Sequence, residues 1–211
     1  MSVTDDRSTA TTVAASPIAD PAPLGLGAFA LTTFLLSAAN AGWMTKASGL
    51  AFLGYALAYG GLAQLLAGMW EFRNRNVFGA LAFSTYGGFW IGLALYFLFV
   101  GRALVTHPLT AGLYVHDVGW IVLAFAIFNT YMLVWSTQVN AAVFGVFLVL
   151  EATEIVLVIG FFTGTTGIIK AGGYLGVVTA VVAWYASAAL LSRGMGGRLA
   201  LPVGRPLIGP R

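Results

Sequence analysis

The chain has 211 residues, 59% of them hydrophobic and only 8% charged, with 27 glycines and a formal net charge of +3. Soluble domains carry about 25% charged residues, so a water-soluble fold is excluded and the composition reads as a polytopic membrane protein. The chain has no cysteine, which removes disulfides, thiol catalysis and thiolate metal sites, and its basic residues sit at segment ends rather than in a nucleic-acid-binding patch.

Residues 1–19 are polar, acidic at Asp5 and Asp6, and rich in Ser, Thr and Ala. They lack the basic start and apolar core of a signal peptide, and are expected to form a retained, disordered cytoplasmic tail. Asp20, Pro21 and Pro23 then stand in front of a long apolar run. Proline is tolerated in a first helical turn because its missing N–H has no partner there anyway, and Asp20 has the chemistry of an N-cap.

A bilayer core needs about 20 consecutive apolar residues per helix. Six stretches qualify, at 24–43, 50–70, 78–100, 118–135, 141–162 and 174–191, giving a six-helix transmembrane domain over 20–192 and a basic C-terminal tail over 193–211. The breaks hold nearly all the charge: Lys46, then Glu71, Arg73 and Arg75, then Arg102 to Asp117, then Lys170. Trp43, Trp70, Trp120 and Trp135 fall near span ends, where interfacial aromatics belong. Six spans put both termini on one side, with seven Lys and Arg against three on the other. The positive-inside rule makes that side cytoplasmic.

Small residues run through several spans. Gly54, Gly61 and Gly68 recur every seventh residue, Gly87, Gly88 and Gly92 follow on the third span, and Gly172, Gly173 and Gly176 open the sixth. Such stripes let membrane helices approach closely, leaving room for a narrow pathway rather than a large cavity.

Polar side chains at membrane depth are costly. Phe29, Thr33, Leu36 and Asn40 share one face of the first span by their spacing, although Thr32 and Thr33 can also bond back to carbonyls one turn earlier. Gln64 sits mid-span, either lining a polar path or joining two helices. Tyr86 and Trp90 stand one turn apart on the third span, and Asn129 and Thr130 form a polar pair on the fourth. Glu151 and Glu154, at i and i+3, lie on the same side of the fifth. A carboxylate in hydrocarbon protonates, pairs or faces water. The two glutamates are therefore candidates for proton coupling, or else face a wet vestibule or a subunit contact. His107 and His116, the only histidines, fall in the loop after the third span without metal-ligand spacing. There is no phosphate-binding glycine loop and no nucleophile elbow. No enzyme, metal or cofactor is expected.

Several motifs carry a family resemblance. They are Asp-Pro-Ala-Pro-Leu-Gly-Leu-Gly-Ala-Phe-Ala-Leu-Thr-Thr-Phe at 20–34 and Gly-Gly-Leu-Ala-Gln-Leu-Leu-Ala-Gly-Met-Trp-Glu at 60–71, with Asn-Val-Phe-Gly at 76–79 and Phe-Ser-Thr-Tyr-Gly-Gly-Phe-Trp at 83–90. Lys-Ala-Gly-Gly-Tyr follows at 170–174, Ala-Trp-Tyr at 183–185 and Gly-Arg-Leu-Ala-Leu-Pro-Val-Gly at 197–204. Together they resemble the acetate uptake transporter family of bacterial succinate–acetate and yeast Ato proteins, over nearly all of 20–204.

The resemblance implies an all-α integral membrane protein with six transmembrane helices per protomer, assembled as a homohexamer. Each protomer would pass acetate and similar small carboxylates through a hydrophobic constriction. Carried over by motif, its members are Phe29, Tyr86 and Leu150. Thr33, Asn40, Gln64 and Asn129 are then candidates for holding the substrate, and Asp20, Pro21 and Pro23 mark the entrance. Two departures stand out: Asp20 replaces the family's usual Asn, and Glu151 and Glu154 fall where apolar or hydroxyl residues are expected. Both favour coupling to protons over a simple anion channel. The expected function is thus a permease for acetate, with succinate and other short acids, in the plasma (inner) membrane. The rivals are a channel for urea, ammonia or an amide, and a non-transporting scaffold or sensor.

Overall fold

Two prolines shape the first turn of the first helix, where a backbone donor would have had no partner. In the computed structural model, which describes residues 18–44, 48–106 and 111–209, α1 covers Ala22–Asn40. Pro21 occupies the cap position and Asp20 stands one residue outside it, its Oδ1 accepting from the Ala22 N–H at 2.9 Å. The cap expected at Asp20 is therefore displaced by one residue. The carboxylate reaches across Pro21 to the first turn.

Five more helices follow: α2 (Phe52–Arg73), α3 (Val77–Leu104), α4 (Leu113–Ser136), α5 (Ala141–Thr163) and α6 (Thr166–Gly194). All six are long and apolar enough to cross a membrane, and the chain is a multi-pass membrane protein of the all-α class. The expected spans are all present, with two corrections. α6 starts about two turns before 174, so Lys170 lies inside it, exposed, instead of in a break. At 1.5 Å per residue, its 29 residues rise about 43 Å, well beyond a hydrocarbon core of about 30 Å, so charge is tolerated at its ends. The fourth helix likewise begins before Val118 and takes in His116 and Asp117, which were expected in a loop. Asp117 accepts from the Tyr96 hydroxyl at 3.0 Å, tying α4 to α3. Lys46 and His107 lie outside the described residues.

The turns before α3 and α5 are short and capped by asparagine. After α2, Arg75 takes a left-handed conformation (φ 58°), and the Asn76 N–H returns to the Glu71 carbonyl at 3.0 Å, the usual way to close a helix C-terminus. Asn76 then caps α3 through Gly79 N–H at 3.1 Å, and Asn140 caps α5 through Val143 N–H at 2.9 Å. Each of α2 and α3 also contains one wide π-helical turn, at Ala58–Ala63 and Tyr96–Gly101. Such turns shift every later side chain around the helix axis, and hydrophobic periodicity does not reveal them.

α1 packs along α6, α6 against α5, α5 against α4, and α2 against α3 and α1. α3 and α4 meet sparsely, and aromatic side chains fill the gap, with Phe89 and Phe125 4.6 Å apart between ring centres. The glycine stripes divide by contact. A Cβ at Gly173 would strike the backbone of Asn40 and Ala41, and one at Gly60 would strike Thr32. One at Gly87 would lie 2.7 Å from the Leu65 nitrogen. Gly54, Gly88 and Gly92, expected in the same stripes, have nothing within 4 Å. Gly61 and Gly68 are crowded by Ile91 and Ser84.

The segment after α6 runs back over the bundle. Leu207 and Ile208 donate to the Thr137 carbonyl at 2.8 and 3.0 Å, and the Val203 carbonyl accepts from Ala142 at 2.9 Å. The Tyr185 hydroxyl donates to the Pro202 carbonyl at 2.6 Å. These contacts fasten the turn that carries Asn140.

Candidate functional site

Two cavities lie within the helix ring. The near one, about 170 Å³, sits on the side of Asp20 and is rimmed by Asp20, Asn74, Asn76 and Asn140. The far one, about 110 Å³, opens toward the other ends of α1, α3, α4 and α5, at Asn40, Phe97, Tyr114 and Phe161. A water needs roughly 10–15 Å³ of such space, so each has room for a small organic molecule.

The helices change cavity at one level. On α1, Leu26 lines the near cavity and Phe29 the far one; on α3 the change falls between Phe83 and Tyr86, and on α5 between Phe147 and Leu150. All six side chains belong to one buried apolar cluster. Phe29, Tyr86 and Leu150 are therefore the floor of the far cavity, with Phe29 edge-on to Tyr86 at 5.5 Å between ring centres. Phe125 and Phe128 of α4 also press on the Tyr86 ring, at 5.9 and 5.5 Å.

A hydrogen-bonded chain braces this floor. The Tyr86 hydroxyl lies 3.1 Å from Asn129 Oδ1 and 3.4 Å from Glu154 Oε1. Asn129 donates from Nδ2 to the Phe147 carbonyl at 3.1 Å and to Glu151 Oε2 at 2.6 Å. Thr130 donates to the other Glu151 oxygen at 2.7 Å. One phenolic proton cannot serve two acceptors at once. When it goes to Asn129, the hydroxyl oxygen is free to accept from a protonated Glu154.

The two glutamates have different surroundings. Glu154 is buried and lines the far cavity, whereas half-buried Glu151 turns to Asn129 and Thr130 on α4. Positions three apart differ by about 60° around a helix, enough to separate an inward residue from a flanking one. The two carboxyls are thus joined through Asn129 and Tyr86.

Of the other expected site residues, Thr33 and Asn40 line the far cavity together with Phe29 and Leu36, the face read from their spacing. Thr32 bonds back to the Ala28 carbonyl at 3.1 Å, but Thr33 does not, and its buried Oγ1 has no partner. Gln64 is buried and lines neither cavity, and its Oε1 has no partner. Asn129 lies behind Tyr86 rather than on either cavity wall. Asp20 is on the near rim; Pro21 and Pro23 set the turn beside it.

Sequence reasoning missed several residues. Asn76 and Asn140 are both helix caps and rim residues, and an asparagine directly before an apolar run is a signal that could have found them. Glu71, expected in a charged break, is fully buried, with Oε2 accepting from Asn74 at 3.2 Å. Thr153 and Thr179, joined at 2.9 Å, bind α5 to α6 beside the far cavity.

A profile of the GPR1/FUN34/yaaH family matches residues 5–203. The chain belongs to this family. Among family relatives, acetate permease A of Emericella nidulans is 38% identical over 202 residues, covering 90% of this chain and 67% of that one. The succinate-acetate/proton symporter SatP of Escherichia coli is 32% identical over 187 residues, covering 89% of this chain and 96% of the symporter. Two Saccharomyces cerevisiae relatives, one of them ammonia transport outward protein 2, are each 40% identical, and the chain spans 59% of their length. A solved structure of the bacterial acetate channel SatP superposes with a TM-score of 0.79 at 30% identity, covering 89% of this chain and 99% of the channel. The six-helix GPR1/FUN34/yaaH fold described above is thus shared along nearly the whole of a solved relative.

Proposed function

We propose that the protein is a membrane permease for acetate and other small carboxylates, with succinate among them, moving substrate together with protons through each protomer. One observation carries this reading: two cavities on opposite sides of the bundle are separated by a single apolar level at Phe29, Tyr86 and Leu150. An apolar ring opposes a bare ion, yet an acid neutralised by a proton can cross it, its methyl group in contact with the aromatic walls. The names of the relatives, acetate permease, succinate-acetate/proton symporter and acetate channel, support the same substrate class.

In this reading Asp20, Pro21 and Pro23 frame the near entrance, and Thr33 and Asn40 meet the substrate beyond the ring. Asn129 positions Tyr86, and Gln64 serves the α2 packing. Glu154, linked to Glu151 through Tyr86 and Asn129, handles the proton. The protein works as a homohexamer in the plasma membrane with both termini cytoplasmic, carrying solute without chemical change.

The competing reading is a channel for a neutral solute, suggested by the apolar ring and by the name of the ammonia-transporting relative. Competition against labelled acetate uptake in cells separates the two. Propionate and succinate are expected to inhibit and urea, methylammonium and acetamide to leave uptake unchanged; the reverse pattern would favour the neutral-solute channel.

A further inference from the structure

We infer that the far cavity contains a binding subsite for one carboxyl group and one proton, formed by Thr33, Trp90 and Glu154 directly beyond the apolar ring. This deepens the transport reading above and rests on it. Each of the three residues stands four positions after a member of the ring: Thr33 after Phe29 on α1, Trp90 after Tyr86 on α3, and Glu154 after Leu150 on α5. That spacing places all three on the cavity face, about one helical turn further out. The apolar ring is thus backed by a polar one.

The three also share an unusual condition. Thr33 Oγ1, Trp90 Nε1 and Glu154 Oε2 are buried polar atoms without a hydrogen-bond partner, and all three residues line this one cavity. Trp90 is 2% exposed, and Thr33 and Glu154 6% each. A buried polar group left unpaired costs about 1–3 kcal/mol, and native structures contain few. Three from separate helices around one space point to a ligand that pairs with them.

Their chemistry defines that ligand. An indole N–H can only donate, a threonine hydroxyl can donate, and the free oxygen of Glu154 either accepts or, when protonated, donates. A carboxyl group fits this set: one of its oxygens takes the Trp90 and Thr33 donors, and the other meets Glu154. Two carboxyl oxygens can approach only with a proton between them, whether it arrives on the substrate or waits on Glu154. The bound pair therefore holds one proton and one negative charge, and each acid that leaves with that proton leaves neutral. Among the described residues no Lys, Arg or His lines the cavity, so none of them offers a cation to hold a carboxylate without the proton. Phe89, Phe97, Val122 and Phe125 complete the wall, which suits a short alkyl chain.

The titratable groups acting on Glu154 are Tyr86 on α3 and Glu151 on its own helix; from α4, Tyr114 lines the same cavity and Tyr131 lies near Tyr86. α1 presents Thr33 and Ser37 to the cavity, and α6 adds Thr179 behind Thr153. Glu154 is thus the carboxyl that faces the cavity.

The test uses purified full-length protein with indole-¹⁵N tryptophan, and the same protein in proteoliposomes. One of the six tryptophan signals is assigned to Trp90 by its loss in Trp90→Phe, which keeps an aromatic ring and removes the N–H. Acetate is expected to shift that signal saturably, and acetamide to leave it unmoved. Trp90→Phe and Thr33→Val are each expected to raise the half-saturation concentration for acetate uptake about tenfold, the effect of one hydrogen bond to a charged group. Glu154→Gln is expected to abolish the acceleration of uptake by an acid exterior. The unchanged signals of the other tryptophans verify folding in each variant. A Trp90 signal that stays fixed while uptake saturates, equal shifts with acetamide, or an undiminished pH response in Glu154→Gln would overturn the subsite and leave the transport reading standing. Wild-type vesicles that move no acetate would remove the transport reading itself.

Discussion

At the scale of single residues, selectivity in the proposed permease turns on which side chains face the cavities at the level of Phe29, Tyr86 and Leu150. Helical spacing makes the face of Phe29, Thr33, Leu36 and Asn40 legible, because α1 is α-helical without interruption over Ala22–Asn40. The separate directions of Glu151 and Glu154 were not legible, since a 60° offset acquires meaning only once neighbouring helices are placed. The same holds for Trp90, whose unpaired N–H is a property of its surroundings. If the apolar ring sets the size limit, Phe29→Ala and Tyr86→Ala will admit longer acids, measured as a rise in butyrate uptake relative to acetate. Tyr86→Phe will keep the wild-type ratio, because the ring remains, but will leave Asn129 Oδ1 without its donor. That loss should cost about 1–3 kcal/mol, visible as a lower thermal midpoint in detergent. Unchanged acid selectivity in both alanine variants would contradict the sieve.

At the scale of elements, the apolar runs indicate six spans, and the motifs place the candidate constriction residues on the first, third and fifth. Helix ends were read less well. α6 tolerates Lys170 because its early turns project past the hydrocarbon, a distance that residue hydropathy does not encode. The glycine stripes look alike in the sequence, yet only some of their members meet a neighbour. α1 and α6 close against one another at Gly173, while Gly88 faces open space. Gly173→Ala is expected to destabilise by about 1–3 kcal/mol through overpacking. Gly88→Ala should be neutral or stabilising by up to about 1 kcal/mol, since alanine is the better helix former. Thermal unfolding of the two variants in the same detergent makes the comparison; equal loss at both sites would contradict the packing described.

At the scale of the whole molecule, the even number of spans put the termini on one side. The near rim, with Asp20, Asn74, Asn76 and Asn140 from three separate parts of the chain, gathers on that side. The returning C-terminal segment was not legible, because its grip on residues 137–142 comes from backbone hydrogen bonds that no side-chain pattern announces. It holds the turn bearing Asn140 and so fixes one edge of the near cavity. In the proposed function these parts form one route: a polar rim, an apolar ring, a polar ring one turn beyond it, and an aromatic vestibule. The most direct test is labelled acetate flux into proteoliposomes, corrected for protein-free vesicles and compared with and without an acid exterior. Saturable, protein-dependent uptake that accelerates when protons are supplied outside is the result expected. Uptake no faster than in protein-free vesicles, in either condition, would contradict it.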